Sequence, residues 1–137
     1  MAEEVLNFTK LTFIIHSIVG VAFTILFFIP DFTVPLFFGS VSSLTAETRA
    51  MSMTLGSIFL GLSVGSIISI VAKEWKQIKI VVILEVVWLI AGLVTTIVSF
   101  TTFDVLMGAL TLVFEILLLV LFCLTFLQQE DTIKPIF

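Results

Sequence analysis

Three side chains that can carry a proton stand inside otherwise apolar runs of this chain: His16, Glu85 and Glu115. An imidazole and two carboxyls can exchange a proton, hold a cation or hydrogen-bond the head of a ligand, and apolar surroundings strengthen each of these interactions. A charged carboxylate in hydrocarbon costs at least ~2.5 kcal/mol, so such groups face an interior, pair with one another or stay protonated. Counted from the same end of their runs, His16 and Glu85 each lie about five residues in, roughly 8 Å at the helical rise, and they are expected to meet. Glu115 falls near the middle of its run with no basic residue at its level. The three read as a discontinuous column lining a pocket, together with Trp88 beside Glu85 and Thr111 one turn from Glu115. The plainer alternative for His16 and Glu85 is an interhelical hydrogen bond that keeps two helices in register, and for Trp88 ordinary packing.

Familiar enzyme chemistry finds no footing. A single His cannot supply a bis-His haem or a His cluster for copper, and no Cys or His set has metal-ligand spacing. No glycine loop opens a helix onto a phosphate, and two carboxylates are too few for a di-metal centre. The expectation is no metal and no resident cofactor. The lone Cys123 reads as apolar filler, since it has no partner for a disulfide.

The elements that must position the three groups are four apolar runs, at about residues 11–30, 50–72, 80–100 and 105–127. At about 1.5 Å per residue each covers the ~30 Å hydrocarbon core of a bilayer. With 60% apolar residues, 12% charged and 15 Phe in 137 residues, little chain is left for a soluble domain. The fold expected is all-α: a single four-helix transmembrane bundle over 1–137, up-down-up-down, with residues 31–48 as an interfacial segment. The first run is expected to be retained rather than cleaved, because an acidic Glu3-Glu4 precedes it and no small-residue cleavage site follows.

Orientation follows from the basic residues. Lys73, Lys76 and Lys79 crowd one link, and Lys10 and Lys134 flank the two ends, against Arg49 alone on the other side. The positive-inside rule then places both termini in the cytoplasm of a multi-pass protein, in the plasma membrane of a prokaryote. The net charge of −4 is small and scattered, which argues against a nucleic-acid partner. Arg49 and Asp104 fall together at the outer rim and are expected to form an interfacial ion pair. The segment from Pro30 to Gly39 is apolar and aromatic; it reads either as a lid over the outer mouth or as a loop hiding its rings against lipid.

Small and polar residues recur at helical spacing. Thr12, His16, Gly20 and Thr24 form one stripe, and Ser57, Gly61, Gly65 and Ser69 form another that includes a Gly-x-x-x-Gly step, expected to pack against a helix of this chain or of another subunit. Glu85, Trp88, Gly92 and Thr95 or Thr96 mark the third helix, and Asp104, Gly108, Thr111 and Glu115 the fourth. Four stripes imply one shared centre.

The order of Pro30, the Phe37-Phe38-Gly39 step, Glu47 and Arg49 before a Gly-rich helix, the Lys73 to Lys76 link and Glu115 in the last helix resembles the DoxX-like group of small four-helix membrane proteins. Some members of that group are linked to membrane redox or quinone chemistry, so the resemblance implies a quinone or lipid pocket near Glu115. Two functions are carried forward. The first is an accessory or structural subunit of a larger membrane assembly; the alternative is a self-contained binding or transport protein whose pocket, lined by Glu115, Glu85 and His16, takes a lipid-like, quinone-like or protonatable small molecule. In both, the lipid bilayer is a partner, with other membrane subunits or further copies of the chain beside it.

Overall fold

The computed structural model describes residues 4–133, and within them the secondary structure is helical apart from one isolated bridge between Glu4 and Glu74. In chain order the helices are α1 (Asn7–Phe27), α2 (Pro30–Phe38), α3 (Ala46–Val71), α4 (Trp75–Val98) and α5 (Val105–Ile133), with short 3-10 turns at Val41–Ser43 and Phe100–Thr102. Four of them, α1, α3, α4 and α5, are long and apolar enough to cross a membrane. Lys134 and Glu3, which entered the charge argument, lie outside the described residues.

The helices overrun the apolar stretches that announced them. Helix α1 begins at Asn7, α4 takes in Lys76 and Lys79, and α5 continues through Gln128, Gln129 and Glu130. Hydropathy measures the thickness of the oil, whereas a helix stops only where backbone or capping ends it. Pro30 does not close α1 but opens α2 at its first position, where a missing N–H costs nothing. Helix α2 ends at Gly39, whose φ of 67° suits a residue without Cβ. Thr45 and Thr48 then form a reciprocal capping box that starts α3.

Packing is uneven around the bundle. Helix α1 lies along α3, α4 lies along α5, and α1 also meets α5, while α3 and α4 touch very little. The α1/α3 contact depends on small side chains. A Cβ added at Gly20 would collide with the Ser63 hydroxyl, one at Gly56 would sit 3.4 Å from Phe27 and Phe28, and Ser52 Oγ donates to the Phe27 carbonyl at 2.8 Å.

This corrects the second stripe. Ser52, Gly56, Ser63, Ser66 and Ser69 are the buried small residues of α3. Of the four expected, only Ser69 is buried; Ser57 and Gly61 are exposed, and a Cβ at Gly61 or Gly65 would meet nothing within 4 Å. Helix α3 carries small residues on two neighbouring stripes, roughly 100° apart, and the bulk of Phe27 and the gap at Gly20 on α1 select between them. The α1 stripe is buried throughout. Large aliphatic residues such as Ile18, Ile68, Leu84, Val87 and Val98 point outward, as a hydrocarbon surrounding requires.

The Lys-rich end is clasped. Gln129 accepts from Leu6 N–H and from Thr9 Oγ1, both at 3.1 Å, and donates to the Glu4 carbonyl at 2.9 Å. Trp75 Nε1 donates to Glu130 Oε1 at 2.6 Å, and Lys79 Nζ lies 2.7 Å from the same oxygen. Above them Phe13, Val82 and Phe122 are fully buried in the core.

Two glycine substitutions separate the two stripes. Gly20→Val should destabilise the protein by about 1–3 kcal/mol through overpacking, whereas Gly61→Val should stay within about 0.5 kcal/mol. Unfolding of each in mixed micelles titrated with SDS measures the difference, and equal losses would return the Ser57 to Ser69 stripe to the interface.

Candidate functional site

The polar centre is built on His16. It is 4% exposed and projects from α1 toward the line where α3 and α4 fail to meet. Its Nδ1 lies 2.6 Å from Ser66 Oγ on α3, its Nε2 lies 3.5 Å from Glu85 Oε2 on α4, and its ring meets Phe122 of α5 edge-on at 5.2 Å. One imidazole therefore touches all three other long helices. A proton on Nε2 suits both contacts, since Nε2 then points its N–H at the carboxylate while Nδ1 accepts from the Ser66 hydroxyl. Glu85 is 2% exposed, and its Oε2 has no hydrogen bond of good length.

Glu115 stands on α5 in frame with Leu118, Phe122, Thr125 and Gln129, a 3-4-3-4 spacing that runs along the inner face. Its Oε1 accepts from Thr96 Oγ1 on α4 at 3.1 Å, while its Oε2 is buried and without a hydrogen bond. The sequence left Thr95 and Thr96 equivalent. Thr96 is the inward one; Thr95 is exposed and donates to the Ala91 carbonyl. Gly92 makes the room, because a Cβ there would stand 2.9 Å from Glu115 Oε1.

Two chambers meet at this carboxyl. An inner one of about 100 Å³ reaches from Glu115 to His16 and Gly20. An outer one of about 340 Å³ extends from Glu115 toward Thr33, Thr48 and Phe103. Both are bounded by Phe27, Phe37, Phe59, Trp88, Thr111 and Glu115. The aromatic wall is continuous: Phe23 stacks on Phe59 at 5.2 Å, Phe59 on Phe27 at 5.6 Å, and Phe27 meets Phe37 at 5.4 Å. The outer chamber draws its walls from α3, at Met51, Ser52 and Leu55, and from α4, at Ala91 and Thr95. Those two helices barely touch, and Met51, Trp88 and Ala91 on their sides of the chamber are exposed.

Helix α2 roofs the outer chamber. Val34 and Phe37 point in and are buried, Phe38 borders the chamber while stacking on Phe103 and staying part exposed, and Phe32 faces out. The roof is tied down at both ends: Asp31 pairs with Arg49 at the start of α3, and the Asp104 N–H donates to the Phe37 carbonyl at 2.7 Å. Lid and interfacial loop were the two expectations, and this short helix has one face of each kind.

The expected Arg49–Asp104 ion pair is corrected by the same contacts. Arg49 is held by Asp31, and Asp104 Oδ1 instead accepts from the N–H groups of Leu106 and Met107, at 3.0 and 3.3 Å. Free N–H groups at a helix start are the nearest donors to a short carboxylate, and Asp104 begins α5. Of the five residues expected at a ligand, His16, Trp88, Thr111 and Glu115 border the chambers, and Glu85 lies behind His16 without bordering either. The Thr111 hydroxyl is spent on the Met107 carbonyl at 2.8 Å. Gln129 escaped the sequence reading, although its place in the Glu115 to Gln129 frame was a usable signal. Among the described residues no three His, Cys, Asp or Glu side chains gather as a metal site would need. No protein-family model, curated protein or solved structure matches the chain.

If His16 and Glu85 work as a pair, a double-mutant cycle with His16→Leu and Glu85→Leu should return a coupling of about 1–2 kcal/mol, toward the upper end of values within membranes. SDS-titration stabilities of the four proteins provide the cycle. Additive losses would mean that the 3.5 Å contact carries no interaction.

Proposed function

We propose that this chain is a self-contained membrane-embedded binding protein that holds a lipid-like or quinone-like small molecule in the cavity ending at Glu115. The observation that carries the reading is Glu115, which keeps a buried carboxyl oxygen without a hydrogen bond and borders both of two mostly apolar chambers. Unsatisfied buried acceptors are rare and costly, and a concave apolar pocket with a few convergent polar groups is the usual form of a small-molecule site. The volume, about 340 Å³ in the outer chamber, is at the lower end of such sites and suits a compact body or a single chain. The resemblance to the DoxX-like group points to the same pocket.

In this reading the four long helices run up-down-up-down with both termini in the cytoplasm of a prokaryotic plasma membrane. Lys10, Lys73, Lys76 and Lys79 mark the inner side by the positive-inside rule. The outer chamber and its lateral gap then open toward the outer leaflet. Binding is favoured over passage, because the Trp75, Gln129 and Phe122 layer closes the other end.

A second reading, an accessory subunit of a larger assembly, is supported by one observation: Ser57, Gly61 and Gly65 form a small-residue stripe that α1 leaves uncovered. Such a stripe suits close approach by another helix.

Native mass spectrometry of the protein released from its membrane in mild detergent separates the two. The expected result is the chain with about one small molecule bound, lost in Ala91→Trp, which fills the outer chamber, and kept in the lipid-facing control Ala109→Trp. An empty chain, or a ligand retained by Ala91→Trp, rejects the cavity reading. Release in a defined complex with other polypeptides would favour the accessory subunit.

A further inference from the structure

We infer that the molecule this cavity is built for is a lipophilic amine, an amphiphile with a cationic head, which enters sideways from the bilayer between α3 and α4. The inference rests on the cavity reading and names its ligand class.

Charge selects the head group. Among the described residues bordering either chamber, Glu115 is the only acidic side chain, and none is Lys or Arg. An anionic head, whether carboxylate or phosphate, would be brought beside a carboxyl with no Lys or Arg to offset it, and His16, which borders the inner chamber, is already engaged by Ser66 and Glu85. An ammonium reverses the sign. Burying either charge alone is costly, but the ammonium and the Glu115 carboxylate neutralise each other, and N–H donors meet the vacant Oε2. The surrounding rings add to the preference. Trp88, Phe27, Phe37 and Phe59 border both chambers, and aromatic faces attract cations more strongly when water is excluded.

Access selects the apolar body. On the Arg49 side the cavity is roofed by α2, held through Asp31 and Phe37; at the Lys-rich end it is closed by the Phe13, Val82 and Phe122 layer. The gap between α3 and α4 faces the bilayer, and exposed Met51, Trp88 and Ala91 form its edges. Any molecule using it arrives through hydrocarbon, so it must already be dissolved in the membrane. The hydroxyls of Ser52 and Thr95 near that opening are engaged with the Phe27 and Ala91 carbonyls, which leaves the Glu115 carboxyl as the polar destination.

Three probes with one tail and different heads test the assignment: decylamine, decanol and decanoate, titrated against the protein in phosphatidylcholine nanodiscs and counted by native mass spectrometry. Ala91→Trp identifies the signal that belongs to the cavity. The wild-type protein should bind decylamine at least about tenfold more tightly than decanol, equivalent to 1.4 kcal/mol, with decanoate weakest. In Glu115→Gln the ratio of amine to alcohol affinity should fall to about one. The wild-type ranking decides the matter even if that variant does not fold. Decanol equal to decylamine, or decanoate tightest, overturns the cationic assignment while leaving a binding cavity in place. If none of the three gives a signal sensitive to Ala91→Trp, the cavity reading and this inference fall together.

Discussion

The close approach of α1 and α3 is the contact on which the rest of this architecture depends. It exists because Gly20, Ser52, Gly56 and Ser63 present almost no bulk at the crossing, and within lipid only such packing and hydrogen bonding bring helices together. With α1 seated against α3 and touching α5, the first helix occupies the ground where α3 and α4 would otherwise meet. Two consequences follow at different depths. Near the Lys-rich end, the space between α3 and α4 is filled by His16, which reaches Ser66 on one side and Glu85 on the other. Further along, the α1 stripe shrinks to Gly20 and its aromatic residues swing aside into the Phe23, Phe59 and Phe27 stack, and the space stays open as the cavity.

Polar groups inside such a bundle are not all equal candidates for function. Most of the hydroxyls satisfy themselves within their own helix: Thr24 on Gly20, Ser63 on Phe59, Ser69 on Gly65 and Thr111 on Met107, at 2.7 to 2.8 Å. A hydroxyl bonded to the carbonyl one turn back makes no demand on its neighbours, so the stripe of Thr and Ser is primarily a way of filling an interior with small side chains. The carboxyls cannot do this. Glu85 and Glu115 each keep one buried oxygen without a hydrogen bond, and their surroundings differ. The Glu85 oxygen faces the imidazole of His16, a group that can meet its charge; Glu115 instead borders both chambers. That difference makes Glu115 the binding candidate and leaves Glu85 as a support for His16.

Much of this was legible in the residues alone, and the parts that were not have a common cause. Four apolar lengths announced four long helices, equal depth brought His16 and Glu85 together, and the α1 stripe was read correctly because only one face of that helix is small and polar. Helix α3 was ambiguous: Ser52, Gly56 and Ser63 compete with Ser57, Gly61 and Gly65, and only the facing surface of α1 decides between them. Arg49 was given the wrong carboxylate for a similar reason, since sequence put Asp104 at the same rim but not the helix start that claims it. The aromatic segment after Pro30 offered Gly39 as the end of a short helix, and the nine-residue α2 stops there although Pro35 lies inside it, since one lost bond does not undo so short an element. In each case composition fixed what a residue could do and a neighbour from another helix fixed what it did.

The two ends of the bundle are built on opposite plans, and this limits what the cavity can do. At the Lys-rich end the chain leading into α1 and the helices α4 and α5 are tied by Gln129, Trp75, Glu130 and Lys79, over a core with Phe122 fully enclosed. At the other end α2 is tied by the exposed Asp31–Arg49 pair, the Asp104 N–H on the Phe37 carbonyl and the Thr33 hydroxyl on the Leu26 carbonyl, and exposed ion pairs are worth ~0–1 kcal/mol. A conformational change that enlarges the cavity therefore costs least at α2 and at the unpacked α3/α4 seam, and most at the clasp. Passage through the bundle would require breaking the Gln129 and Trp75 contacts and displacing Phe122, none of which a ligand lodged at Glu115 touches. In the proposed binding reading, an occupant would then enter and leave by the same side, as in a receptor or a carrier that hands its ligand to a neighbour in the membrane.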